Sequence, residues 1–228
     1  MDISKYFNKN IYIFGDIISL FINDLYNENK YKNILFIRTC TTGGWLDNLL
    51  IKYKNVTRIL YYNDTIKKPI MSHKLTKKIH LKNLEYKLKS LNKKFDLICI
   101  DTWHEYEQSL HDFNIISSFL NESGILISHD CYPWTKEVAN PHYIPGSWCG
   151  ETYISFVEFA YNNPNLFYTI LNIDTGIGIL SKTHLNFLSN TLDRQKQEHL
   201  LYLYKNSKDY YIYFIENSKD IINAYISS

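Results

Sequence analysis

Glycine, proline and cysteine are scarce in this sequence, and arginine is almost absent. The 228 residues include 8 Gly, 5 Pro and 4 Cys, and the three arginines are Arg38, Arg58 and Arg194. So little glycine and proline excludes collagen-like and low-complexity chains. Hydrophobic residues make up 45% of the chain and charged residues 21%, which excludes a largely disordered protein. We expect a globular protein of one domain, or of one domain with a small appendage.

Long apolar runs and cysteine pairs are also missing. The most apolar early run, residues 11–22, contains Gly15 and Asp16 and is too short to span a bilayer. The first residues show no signal-peptide core, and the cysteines have no C-x-x-C spacing. These absences predict a cytoplasmic protein with reduced thiols and no membrane partner.

Charge of one sign is not in excess, because 25 basic and 23 acidic residues leave a formal net charge of +2. Nucleic-acid-binding domains are usually more basic than this, so we predict no nucleic-acid partner. Lysines are concentrated within residues 67–94. That stretch is either a solvated face or a surface that attracts an anionic small molecule, and the sequence leaves both interpretations open.

Short apolar segments alternate with amphipathic ones between residues 33 and 129. Strand-like segments are 33–38, 57–62, 78–81, 95–101 and 125–129, and helical ones include 45–54 and 106–120. This alternation predicts βαβ units and a parallel sheet. Two further strands, at 166–171 and 175–180, predict an antiparallel pair at the sheet edge. The expected fold class is α/β: a doubly wound, mostly parallel, seven-stranded sheet with an antiparallel edge strand and C-terminal helices.

The chain divides into two predicted regions. An α/β domain is expected over residues 1–182, beginning with a helix at 14–27, and a helical tail over residues 183–228. The tail carries aromatic stripes that would cover the core or join copies of the chain in a homo-oligomer. A loop of about twenty residues follows residue 130, and loops this long in a compact domain are usually functional.

Polar residues follow several predicted strands at their carboxyl ends. In an open parallel sheet these ends line the ligand-binding crevice. The residues that they would bring together are Thr39, Gly43, Gly44, Asn63, Asp64, Asp101, Trp103, His104, His129 and Asp130. Gly43 and Gly44 would let the backbone approach a ligand closely, and a following helix start would offer N–H groups to an anion. Asp64 could accept hydrogen bonds from a ribose diol.

The acidic residues and histidines at the later strand ends have functional and structural interpretations. Asp101 ends an apolar strand, where an unpaired carboxylate would be costly, so it either binds a ligand or caps the next helix. His104 and His129 can act as general bases near neutral pH. Asp101 and Asp130 offer oxygen ligands to a divalent cation such as Mg²⁺.

Some of these residues also have simpler explanations. Gly43 and Gly44 can form an ordinary tight turn, and Asp64 can be an exposed turn residue. A zinc site can be drawn from the side chains of His129, Cys131, His142 and Cys149. Their spacing matches no standard zinc pattern.

Two segments carry a resemblance to a known family. They are residues 96–107 (DLICIDTWHEYE) and residues 124–130 (GILISHD). Together they resemble class I S-adenosylmethionine (SAM)-dependent methyltransferases with a Rossmann-like fold. The likeness is to the branch with D-x-x-H-x-Y-E after strand four and H-D after strand five, which includes enzymes of sugar, capsule and antibiotic pathways. It extends over roughly residues 30–182 and includes the loop at 145–151.

The resemblance implies that SAM binds in the crevice and that the reaction is O-methylation. The acceptor would be a small polar molecule, such as a sugar, a nucleotide-sugar or a phosphate-bearing precursor of a surface glycan. In such enzymes the glycine loop and the acid of strand two hold the cofactor. Asp101 and Trp103 would border it, His104 or His129 would be the base, and Asp101 with Asp130 would hold Mg²⁺ in members that use a metal.

The sequence departs from the family at strands one and two. Phe36 stands at the acidic position and Arg38 at the first glycine position of strand one, with one extra residue before the two glycines. Asn63 stands where the acid of strand two is expected, next to Asp64. Two other functions therefore stay open. One is a non-catalytic binding or scaffold protein with a decayed SAM loop, and the other is a metal-dependent transferase or hydrolase.

Overall fold

A computed structural model describes residues 3, 6, 16–29, 31–39, 56–62, 77–145 and 147–225. The helices within these residues are α1 (Asp16–Asn29), α2 (Leu84–Ser90), α3 (Tyr106–Ile116), α4 (Thr152–Asn162), α5 (Arg194–Asn206) and α6 (Tyr210–Ile222). The strands are β1 (Ile34–Thr39), β2 (Val56–Tyr62), β3 (Lys77–His80), β4 (Phe95–Asp101), β5 (Leu120–Ser128), β6 (Phe167–Leu171), β7 (Ile177–Ser181) and β8 (Ala224–Tyr225). The helix predicted at 45–54 lies outside the described residues.

The strands form one sheet in the order β3-β2-β1-β4-β5-β7-β6-β8. Neighbours from β3 to β5 are parallel, and β7 is antiparallel to both β5 and β6. The predicted doubly wound, mostly parallel sheet is therefore confirmed. The structure adds two details: β7 inserts between β5 and β6, and the two-residue β8 extends the sheet beyond the predicted seven strands.

The side chains of strand β4 are buried on both faces of the sheet. The strand is apolar almost throughout, and successive side chains of a strand point to opposite faces. Ile98 and Ile100 belong to the larger core cluster, to which α2 to α6 contribute. Leu97 and Cys99 belong to the second cluster, which includes residues of α1. The strand is thus central, and its two ends are the places where polar groups appear.

The segment after residue 182 contains helices, as predicted, and it also joins the sheet. Leu200 and Phe214 of α5 and α6 are fully buried in the larger core cluster. Ser189 bridges to Tyr168, and β8 pairs with the end of β6. The C-terminal helices are therefore built into the core of the fold. Among the described helices, none has the length and apolar character needed to cross a membrane.

Candidate active site

The carboxyl ends of β4 and β5 lie side by side. Ile100 pairs with Ser128 in the register of the two strands, and the N–H of His129 donates to the Ile100 carbonyl at 3.1 Å. The residues that follow each strand must therefore meet at the same edge of the sheet. The structure thus brings together Asp101 and His104 with His129 and Asp130, as the strand pattern predicts.

Asp101, His104 and Asp130 form a compact group of metal-ligand type. The His104 Nε2 atom lies 3.1 Å from the Asp130 carboxylate and 3.4 Å from that of Asp101. One ligand atom from each of the three residues lies within 4.8 Å of the others. Two carboxylates and one imidazole are a donor set suited to a divalent cation.

The orientation of the His104 ring is set by its other nitrogen. Nδ1 lies 2.6 Å from the backbone carbonyl of Trp148. A carbonyl only accepts hydrogen bonds, so Nδ1 carries the proton, and in the neutral ring the Nε2 lone pair faces the two carboxylates. Histidines that bind metals usually donate their second N–H in this way, which fixes both tautomer and ring orientation.

Both ring nitrogens of His129 lie close to carboxylates, and the Nδ1 contact is an ion pair outside hydrogen-bond geometry. Nδ1 lies 3.1 Å from the Asp130 carboxylate. Nε2 lies 3.2 Å from the Asp174 carboxylate and 2.8 Å from the Thr175 hydroxyl. An imidazole between two carboxylates is best satisfied when both nitrogens are protonated. We therefore expect the His129 ring to be protonated and to orient the Asp130 carboxylate by charge.

The charges of the four residues stabilise one another. Burial alone would raise the pKa of Asp101 and Asp130, but the two imidazoles hold both carboxyl pKa values below their usual range. Burial would likewise lower the pKa of His104 and His129. The carboxylates of Asp130 and Asp101 overcome that effect and raise both imidazole pKa values. Without a bound cation, the site therefore favours ionised carboxylates and protonated imidazoles.

Backbone conformation at the site is unusual. Asp130 has a φ of +61° and Asp174 has a φ of +55°, a region that residues with a side chain seldom adopt. Beyond Asp130, the N–H groups of Cys131 and Tyr132 donate to the carbonyls of Gly176 and Thr175. This pairing forces the chain to turn directly after β5, and it places Asp130 beside both imidazoles. Such uncommon conformations are often found at functional sites.

Aromatic rings border the group. The Trp148 ring lies 5.0 Å from that of His104 and 4.8 Å from that of Trp103. Tyr143 packs on both tryptophans and stays about half exposed. The Trp103 indole N–H is buried and has no hydrogen-bond partner in the part of the chain that the structure describes. That donor could serve a ligand.

A buried hydrogen-bond network supports the turn that carries Trp103. The hydroxyl of Tyr61, near the end of β2, accepts from the Trp103 N–H at 2.8 Å and donates to Asp112 of α3 at 2.6 Å. Ser109 donates to the Trp103 carbonyl at 2.9 Å. Groups from β2 and α3 thus fix the position of the residues between Asp101 and α3.

The predicted cofactor residues are only partly placed. Thr39 is buried at the end of β1, and Arg38 lies beside Asp101 in the register of β1 and β4. The remaining predicted cofactor residues, Gly43, Gly44, Asn63 and Asp64, lie outside the described residues.

Among the described residues, the four side chains of the possible zinc site do not come together as a metal-binding group. Within the described residues, the one group of three or more such side chains close enough to hold a metal is Asp101, His104 and Asp130. His142 is exposed, whereas Cys131 and Cys149 are buried free thiols.

Sequence reasoning missed three contributors to the site. Asp174 was given no role, and Thr175 was predicted as the first residue of a strand at 175–180, whereas both lie in the turn before β7. Because β7 runs antiparallel to β5, that turn lies at the carboxyl end of β5 and reaches His129. The Trp148 carbonyl was also missed, since a backbone acceptor leaves no signal in the sequence. The length of the loop after residue 130 was the available hint.

Comparisons with known proteins agree with this fold. Residues 26–131 match a family model described as a methyltransferase domain. No protein in the curated comparison matches the chain.

Three solved structures illustrate the likeness. One is a predicted caffeoyl-CoA O-methyltransferase from Staphylococcus aureus, with 19% identity, a TM-score of 0.53, and coverage of 76% of this chain and 86% of that one. A methyltransferase of Podospora anserina bound to S-adenosylhomocysteine (SAH) has 18% identity, a TM-score of 0.50, and coverage of 74% and 79%.

The third is the mycinamycin-pathway methyltransferase MycE in complex with Mg, SAH and mycinamycin VI. It has 10% identity, a TM-score of 0.51, and coverage of 79% of this chain and 52% of that one. At these identities the structures establish a shared fold.

Proposed function

We propose that the protein is a SAM-dependent O-methyltransferase whose acceptor hydroxyl is bound beside Asp101, His104 and Asp130. The observation that carries the proposal is the convergence of these three side chains at the carboxyl ends of β4 and β5. They lie where an open α/β sheet binds its ligands, within a chain whose residues 26–131 match a methyltransferase domain.

We propose that the same three residues hold a divalent cation, with Mg²⁺ as the first candidate. The donor set fits, because the His104 Nδ1–H bond to the Trp148 carbonyl presents Nε2 to the two carboxylates. When bound, a divalent cation lowers the pKa of a hydroxyl and orients it. A proton and the cation compete for Nε2. Without the cation, the carboxylates of Asp130 and Asp101 raise the pKa of His104 and favour the protonated ring, so this nitrogen can accept the proton of the acceptor hydroxyl only when the ring is neutral.

The other residues of the site would position the reactants. SAM supplies a methyl group on a sulfonium, so the protein mainly has to align donor and acceptor. We assign Thr39, Gly43, Gly44, Asn63, Asp64 and Trp103 to the cofactor side, as the resemblance implies. His129 lies between Asp130 and Asp174, so we assign it the role of orienting Asp130 instead of removing a proton.

The acceptor is proposed to be a small polar molecule with a free hydroxyl, and sugar-containing compounds are the first to test. The half-exposed ring of Tyr143 stands beside Trp148 and Trp103 and could stack on one face of a sugar or another ring. We also propose a cytoplasmic location, which is compatible with the free thiols of Cys99, Cys131 and Cys149.

Calorimetric titration with SAM, followed by an assay of SAH formation, tests the function. We expect SAM to bind and SAH to form with a hydroxyl acceptor in a reaction that a chelator slows. His104→Asn should abolish turnover, whereas replacing His142, an exposed histidine of the loop after β5, by Asn should retain it. Absence of binding at millimolar SAM would refute the proposal and favour the scaffold interpretation. Chelator-sensitive hydrolysis without SAM would instead support a metal-dependent hydrolase.

A further inference from the structure

The segment 148–151 encloses His104 on its ring and on its backbone. The Trp148 carbonyl accepts from the ring Nδ1 at 2.6 Å, and the Glu151 N–H donates to the His104 carbonyl at 2.7 Å. Between them, Gly150 has a φ of +54°, and a Cβ there would lie 2.3 Å from the His104 carbonyl oxygen. The direction in which Nε2 points therefore depends on where this segment lies.

The Glu151 side chain connects the segment to the C-terminal helices. Its carboxylate is buried and accepts hydrogen bonds from Tyr204 of α5 at 3.1 Å and from Tyr210 of α6 at 3.3 Å, one on each oxygen. Burial raises the pKa of the Glu151 carboxyl, and the two hydroxyls offset part of that effect. A buried carboxylate is costly unless it is hydrogen-bonded, so this arrangement needs a reason.

Capping of the next helix does not provide that reason. Glu151 occupies the N-cap position of α4, yet its side chain makes no capping hydrogen bond. The carboxylate is instead directed to two tyrosines that lie more than 50 residues later in the chain. Its contacts thus join α5 and α6 to the residues that hold His104.

We propose that Glu151 is a positioning residue, whose carboxylate, held by Tyr204 and Tyr210, fixes the segment 148–151 against His104. The catalytic consequence of this proposal rests on the proposed methyltransferase function. The structural consequence does not, because it concerns only the orientation of the His104 ring. Two separate measurements therefore test it.

Solvent exchange of the His104 Nδ1 proton, observed by NMR at constant pH, tests the structural consequence. His104→Asn identifies the signal by removing it. We expect a protected proton in the wild type and in Tyr202→Phe, because Tyr202 is an exposed tyrosine of α5. In Glu151→Ala and in the double variant Tyr204→Phe/Tyr210→Phe, exchange should be faster. The double variant removes two hydroxyls without opening a large cavity, and it replaces Glu151→Ala if that variant does not fold.

Steady-state kinetics test the catalytic consequence. Displacing a catalytic group slightly can lower the rate by about 10- to 100-fold, and we expect a fall of that size in kcat for Glu151→Ala with little change in KM for SAM. Glu151→Gln should restore most of the rate, since an amide can accept from one tyrosine and donate to the other. Unchanged proton exchange in folded Glu151→Ala would refute the proposal. If the His104 Nδ1 proton of the wild type is protected as expected but the protein transfers no methyl group, only the proposed function is refuted.

Discussion

Strand β4 carries one aspartate near each end, and the two have opposite surroundings. At the amino end, the Asp96 carboxylate accepts from the backbone N–H groups of Asn33 at 2.9 Å and Lys32 at 3.0 Å, and from the Asn121 amide at 2.5 Å. At the carboxyl end, Asp101 lies 3.4 Å and 3.9 Å from the imidazoles of His104 and His129. The contacts of Asp96 are short and come from groups that do not titrate, whereas those of Asp101 are longer and come from groups that do.

The difference separates a structural carboxylate from a functional one. Asp96 joins the starts of β1 and β5 to β4, and its partners leave it fully satisfied. Asp101, which is partly exposed, is grouped with the buried carboxylate of Asp130 and with two imidazoles, an arrangement in which protons, cations and substrate atoms can replace one another. Clusters of buried groups with shifted pKa values are typical of catalytic sites.

Replacing the two aspartates in turn gives the largest expected effect. Asp101→Asn should lower kcat by about 100-fold or more, the scale expected for loss of an acid–base or metal-binding group. Asp96→Asn should leave kcat unchanged at a temperature where it is folded. The check is the rate of SAH formation by both variants. Equal losses in the two variants would show that β4 acts only as a scaffold.

Two glycines allow the same comparison for the backbone: Gly150 lies against His104, just after β4, and Gly124 lies against Phe95, at the start of β4. Gly150→Ala should destabilise the fold by about 3 kcal/mol or more, because a Cβ at positive φ is strained and would meet the His104 carbonyl at 2.3 Å. Gly124→Ala should cost less, about 1–2 kcal/mol. Gly124 is not at positive φ, and a Cβ there would meet the end of the Leu120 side chain at 2.8 Å and the Phe95 and Asn121 carbonyl oxygens at 3.0 and 3.1 Å.

Urea unfolding measures both free energies of unfolding. Activity of the folded fraction should fall in the Gly150 variant and stay unchanged in the Gly124 variant. A smaller stability loss at Gly150 than at Gly124 would contradict the tight approach of the loop to His104.

The smallest effect is expected for the stability of Asp96→Asn and its pH dependence. Loss of charge-assisted hydrogen bonds should lower the free energy of unfolding by about 1–2 kcal/mol at pH 7. Although burial alone would raise the pKa of Asp96, hydrogen bonds from Asn33, Asn121 and Lys32 lower it. A carboxyl with a lowered folded-state pKa stabilises the protein above its unfolded pKa of about 3.9, and the stabilisation is lost as pH falls through the folded value.

The difference between wild type and Asp96→Asn should therefore shrink below about pH 4. Urea unfolding at a series of pH values from neutral to acidic measures it. A difference that stays constant across this range would show that the Asp96 charge does not contribute to stability.

Much of the fold follows from local sequence patterns. The bounds of β4 are as predicted, and those of β1 and β2 differ by one residue at most at each end. Strand β5 begins at Leu120, five residues earlier than predicted, because polar residues at 121–123 break its apolar run. The predicted helix at 106–120 ends earlier, at Ile116. After it the chain passes through a short 3₁₀ turn at Ser117–Phe119 and enters β5.

For the candidate site, the sequence alone placed Asp101, His104, His129 and Asp130 at one edge of a sheet. Apolar runs determine which strands are central, and parallel strands must present their carboxyl ends together. Only the tertiary structure brought Asp174 and Thr175 to His129, the Trp148 carbonyl to His104, and the two tyrosines to Glu151. These contacts join residues 44 to 59 positions apart, and such distances are closed by the packing of whole elements, which no local pattern encodes.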